Sequence, residues 1–115
     1  MAIPKIGRLV EALAKQTNEG KIRWQQTAFD GIYQVSFTNI SAQISREGND
    51  IWISLRNSEG LEIEKFSDVE AGQAGLQNSY DLMGRLYETA RREALGVDKA
   101  IDDLLLQLGD DDLLR

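Results

Sequence analysis

The sequence predicts an α+β domain: a five-stranded antiparallel β-meander with an N-terminal helix and two C-terminal helices packed on one face. Three observations carry this. Apolar and polar residues alternate with period two between Trp24 and Phe66. Turn-forming residues interrupt that alternation four times. On either side of it, apolar residues recur at helical spacing instead.

The first helix is expected over residues 4–18. Pro4 suits the first helical position, and Ile6, Leu9, Val10 and Leu13 form one stripe at i, i+3, i+4, i+7. Gly20 is the natural left-handed residue past its end. Lys21-Ile22-Arg23-Trp24 opens the first strand.

The meander's register follows from its turns. Asp30-Gly31 is a two-residue hairpin signal, which sets Trp24 opposite Phe37. Thr38-Asn39 as the next turn sets Val35 opposite Ala42 and Tyr33 opposite Ile44. Gly48-Asn49 sets Ile44 opposite Ile53 and Ala42 opposite Leu55. A loop from Arg56 to Gly60 sets Leu55 opposite Leu61 and Ile53 opposite Ile63. Every turn places apolar residues against apolar residues, and a one-residue slip would move a strand's apolar set to the other side. The opposite, wet face then reads Gln25, Ser36, Ser41 in one row. The next is Thr27, Gln34, Gln43, Ser54, Glu62, and the last is Phe29, Ile32, Ser45, Trp52, Glu64.

Residues 67–78, with Gly72 and Gly75, are expected to be a loop with at most a short helical turn, and the most mobile part of the chain. Asn78 or Ser79 caps a helix over 80–95, whose stripe is Tyr80, Met83, Tyr87, Ala90 and Ala94; Gly96 ends it. Asp98 caps a last helix with the stripe Ile101, Leu104, Leu105 and Leu108, ended by Gly109. One domain covers 1–109, and 110–115 is a short acidic tail. The expected architecture has two layers, with a sheet curled into a half-barrel around the long helix as the alternative.

Composition removes several function classes. The 115 residues include no cysteine and no histidine, so there is no disulfide framework or thiolate nucleophile, and the commonest general base and metal ligand are both missing. A net charge of −6 argues against a nucleic-acid partner. No apolar run approaches the roughly 18 residues of a membrane span, and the N-terminus does not read as a signal peptide, so a cytoplasmic location is expected.

Each chemical candidate reads better as structure. Asp110 to Asp112 lack the spacing that wraps a cation. Glu62 and Glu64 share the wet face of an edge strand, where glutamates discourage edge-to-edge pairing. Ser36, Ser41, Ser45 and Ser54 have no histidine to activate them, and neither a phosphate-binding glycine loop nor a Ser-x-x-Lys motif occurs. Trp24 beside Lys21 and Arg23 falls on the core face, and Arg91 and Arg92 on a solvated helix face. No catalytic residue, cofactor or metal is expected.

One feature points outward. Phe29, Ile32 and Trp52 gather at one end of a face whose middle, including Gln34 and Gln43, is polar and nearly uncharged. Contiguous apolar surface of this kind tends to mark an interface.

The run Leu9, Leu13, Thr17, Gly20, Lys21, Ile22, Trp24 spells L-x3-L-x3-T-x2-G-K-I-x-W. With Gly60 and the Leu86-Tyr87-Glu88-x-Ala90-Arg91 segment it resembles a group of small uncharacterised bacterial and prophage-type proteins. The resemblance implies a helix, a β-meander and C-terminal helices in a bacterial setting, and no activity. The expected function is a non-enzymatic protein-interaction or regulatory domain, binding a protein partner or a second copy through the exposed sheet face. The alternative is an immunity- or antitoxin-type inhibitor, whose acidity steers it onto a basic toxin.

Overall fold

A computed structural model describes residues 5–109. Pro4 and the acidic tail from Asp110 lie outside the described residues. The chain runs α1 (Lys5–Asn18), β1 (Gln25–Gln26), β2 (Tyr33–Phe37), β3 (Ile40–Glu47), β4 (Asp50–Asn57) and β5 (Glu62–Ser67). It continues through α2 (Asp68–Gln73), α3 (Ser79–Leu95) and α4 (Val97–Gln107). The five strands form one antiparallel sheet in sequence order, open, with β1 and β5 at its edges.

The two central hairpins have the expected register. Tyr33 pairs with Ile44 and Val35 with Ala42 across β2–β3; Ile44 pairs with Ile53 and Ala42 with Leu55 across β3–β4. The two outer hairpins are shifted, each for a local reason.

In the first, Gln25 pairs with Gln34 and Gln26 with Tyr33, which directs Trp24 toward Val35 rather than Phe37. A type I′ turn needs positive φ at both central residues. Gly31 has it (78°), but Asp30 does not. The connection is therefore longer. Thr27 Oγ1 braces it, donating to Ile32 O (2.8 Å) and accepting from Phe29 N (3.2 Å). The slip is two residues, an even number, so Trp24 stays on the helix side.

In the last hairpin Ile53 faces Phe66 and Leu55 faces Glu64, in place of Ile63 and Leu61. The loop is shorter than expected. Asn57 N donates to Leu61 O, the Asn57 carboxamide accepts from Glu59 N and Leu61 N, and Gly60 takes φ 83°. Beyond it a bulge intervenes, because Glu62 pairs with Arg56 but Glu64 with Leu55. The total slip is three residues, an odd number, so the faces exchange. Phe66 becomes core, fully buried, while Leu61 and Ile63 are exposed. Glu62 and Glu64 lie on opposite faces, not together.

The core occupies the helix side of the sheet. Tyr33, Val35, Ile44, Ile51, Ile53 and Phe66 meet Met83, Leu86, Tyr87 and Ala90 of α3 and Ile6, Val10 and Leu13 of α1. α3 crosses β1 to β4, and α1 rests on α3 and α2. α1 ends as its glycine requires: Gly20 has φ 72°, Gly20 N donates to Thr17 O, and Lys21 N to Gln16 O. Trp24 is buried beside this end. Its Nε1 donates to Thr17 Oγ1 (3.0 Å), which donates to Leu13 O (2.7 Å), so every buried donor in that corner is satisfied.

The stretch expected to be a mobile loop is anchored instead. Ser67 and Glu70 form a reciprocal capping box that starts α2, Asp68 Oδ1 accepts from Ile51 N (2.9 Å), and Ala71 and Leu76 are buried. α3 begins at Ser79 with Asn78 in the left-handed region but without a side-chain cap. Gly96 ends α3 and is also the residue before α4, so Asp98 lies in the first turn rather than at the cap.

α4 departs from the expected packing. None of its residues is buried, and among the described elements it touches only α3. The radius of gyration is 16.0 Å with a long axis of 55 Å. A globular domain of 100 residues has a radius near about 13 Å, so the shape is extended.

Candidate functional site

Two surfaces compete. The first is the wet face of the sheet, where the sequence gathers Phe29, Ile32 and Trp52. Ser45 pairs with Trp52, and continuing the β2–β3 register sets Ile32 beside Ser45, so these two apolar groups flank one serine. Phe29 is not on a strand; it sits in the loop before β2 and is 71% exposed. Trp52 is half-buried, with Lys65 Nζ 5.0 Å from its ring centre, and Lys65 is itself held by Glu47 (3.2 Å). A cation placed over an indole both screens it and is attracted to it.

The polar middle of this face is paired internally. Gln43 Nε2 donates to Gln34 Oε1 (2.8 Å), Gln34 Nε2 to Ser36 Oγ (3.1 Å), and Ser54 Oγ to Glu62 Oε1 (2.8 Å). Arg56 Nη1 donates to Gly60 O (3.1 Å), while its buried Nε has no protein partner. A docking protein would meet side chains already engaged with each other.

The second surface lies on the helix side, at the opposite end of the strands from α3. Tyr33, Ile44 and Ile51 are covered where α3 crosses. The Tyr33 and Tyr87 rings sit 5.7 Å apart, and burial, with Tyr87 adding, raises the Tyr33 phenol above the ordinary tyrosine pKa. Toward the β2–β3 turn this cover ends. Phe37 and Ile40 carry the same alternation outward and remain 44% and 38% exposed. Between them and α1 runs a groove of about 390 Å³ with an almost wholly apolar lining. Leu9, Ala12 and Gln16 form its helix wall, Phe37, Ile40, Ser41 and Leu55 its sheet wall, and Ile22 also lines it.

The groove exists because α1 does not lie flat on the sheet. Its buried side, Ile6, Val10, Leu13 and Thr17, is taken by the core and by Trp24. Leu9 lies at the edge of that side, partly buried against the core, and Gln16 and then Ala12 are turned further round toward the groove. Arg8 and Lys15, both exposed, lie on the flank next to the groove wall, two helical turns apart. The rim therefore carries positive charge although the chain is acidic.

Sequence reasoning did not find this groove. Leu9 and Phe37 were both assigned to the core face, which is correct, but their exposure depends on where α3 and α1 stop. Among the described residues no group of acidic side chains comes together in a way that could hold a metal ion, and no helix is long and apolar enough to cross a membrane. Comparison with known proteins finds no matching family model, no matching curated protein and no matching solved structure.

Proposed function

We propose that this chain is a non-enzymatic protein-docking domain, and that the groove between α1 and the β2–β3 end of the sheet is where a partner binds. The observation that carries the reading is an apolar cleft in the size range of ligand sites, left open between α1 and the sheet. Its shape, a helix wall facing a sheet wall, suits an amphipathic helix laid lengthwise. The groove's walls are Leu, Ala, Gln, Ile and Phe with Ser41 the one hydroxyl, and the chain has no histidine to activate it. The sheet's wet face supports docking less well, because Trp52 is stacked under Lys65 and the glutamines are bonded to each other.

A capture experiment with three baits tests this: the wild-type chain, Ala12→Trp, and Trp52→Ala. Ala12 is exposed, so an indole there fills the cleft without disturbing the core. The expected result is a partner retained by wild type and Trp52→Ala and lost by Ala12→Trp. A partner lost by Trp52→Ala and kept by Ala12→Trp would move the docking surface to the sheet.

A further inference from the structure

α4 is an 11-residue helix none of whose residues is buried by the described part of this chain. Val97, Ile101, Leu104, Leu105 and Leu108 recur at i, i+4, i+7, i+8 and i+11, one continuous stripe. Ile101, Leu104 and Leu108 are 47%, 56% and 80% exposed. A helix with such a stripe gains from burying it.

We propose that the occupant of the groove is α4 of a second copy of this chain, two copies exchanging their C-terminal helices about a twofold axis. This rests on the groove being a protein-docking surface and adds what docks there. Three features make the fit specific. The first is length: the groove's helix wall runs from Leu9 to Gln16, and the part of the stripe beyond half-buried Val97 from Ile101 to Leu108, each seven steps, or about 10 Å at 1.5 Å per residue.

The second is charge. Asp98 and Asp102 fall one turn apart on the flank of the α4 stripe, and Arg8 and Lys15 on the flank of the groove wall. α4 carries Asp98, Asp102 and Asp103 against Lys99, whereas α1 carries Lys5, Arg8 and Lys15 against Glu11. Opposite potentials fix orientation and speed encounter.

The third is connectivity. α3 and α4 are joined by Gly96 alone, at φ 64°, with Gly96 N donating to Glu93 O and Ala100 N to Gly96 O. Folding α4 back into its own chain's groove would break both helix caps, whereas docking on a second copy leaves them intact. One short helix in one groove is a small contact. Twofold exchange makes the contact twice, toward the roughly 1,200–2,000 Å² that stable interfaces bury.

Sedimentation equilibrium over about 1 μM to 1 mM protein reads the association directly. The wild-type chain is expected to dimerise. Leu104→Asp in α4 and Ala12→Trp in the groove should each weaken the dimer about thirtyfold or more, as loss of an interface anchor does, with circular dichroism unchanged because neither residue is buried. Arg8→Glu should weaken it, and Asp102→Lys in the same chain should restore it. A wild-type monomer across the range, or a dimer indifferent to both Leu104→Asp and Ala12→Trp, overturns the exchange. A monomer that still captures a foreign partner, and loses it in Ala12→Trp, overturns the exchange while leaving the docking reading standing.

Discussion

α3 and α4 are consecutive amphipathic helices joined at one glycine, and they end in opposite situations. α3 buries Met83, Leu86, Tyr87 and Ala90 across four strands. α4 buries nothing. Their sequences do not announce this, since α4 has if anything the richer leucine stripe. Amphipathicity states that a helix has a face to bury; it does not state that the partner is in the same chain. α3 has its partner because it starts beside α2 and crosses the sheet over β4 to β1. By Gly96 the sheet's first edge has been reached: Glu93 accepts from Trp24 N (3.3 Å) and Ala94 O from Gln26 Nε2 (3.3 Å). α4 then continues past the edge strand, where no sheet remains to cover.

The contrast can be broken by truncation. Met83→Ala in α3 removes a fully buried side chain and should cost about 2–5 kcal/mol. At about 4–8 °C per kcal/mol for a domain near this size, the melting temperature should fall by about 8 °C or more. A fall of only a few degrees would mean that α3 is packed no better than α4.

Thr17→Val probes the corner that anchors the far end of α3's layer. It leaves the buried Trp24 Nε1 without an acceptor, for an expected loss of about 1–3 kcal/mol in urea unfolding. Thr17→Ser keeps the hydroxyl and should recover most of it. If valine is tolerated and serine is harmful, the methyl group rather than the hydrogen bond holds the corner.

Leu104→Ala sharpens the comparison from the other side. In dilute solution its effect on unfolding should stay within about 0.5 kcal/mol, the range of surface substitutions. Repeating the melt at high protein concentration, where helix exchange stabilises the wild-type chain by mass action, should separate the two proteins. A large loss at high dilution would show that α4 is part of the monomer's fold.

Much of this was legible in the residues. The helices α1, α3 and α4, the sheet and the two central hairpins follow from periods of 3.6 and 2 and from turns at Thr38-Asn39 and Gly48-Asn49, all local signals. The outer hairpins were not, because one longer loop and one bulge change the count of residues between strands, and parity decides the face. A register slip of two left Trp24 in the core. A slip of three moved Phe66 in and left Ile63 and Leu61 out. The Ser67-x-x-Glu70 box was available as a sequence signal for α2 and would have turned the expected loop into a capped helix.

What the sequence determined by itself is which side chains can share a face, since that depends on backbone geometry over a few residues. What only the tertiary structure decided is which faces are covered. The groove beside Leu9 and Phe37 and the bare stripe of α4 arise from where α1, α3 and the sheet edge stop relative to one another. Those distances join residues far apart in the chain, and no local pattern encodes them.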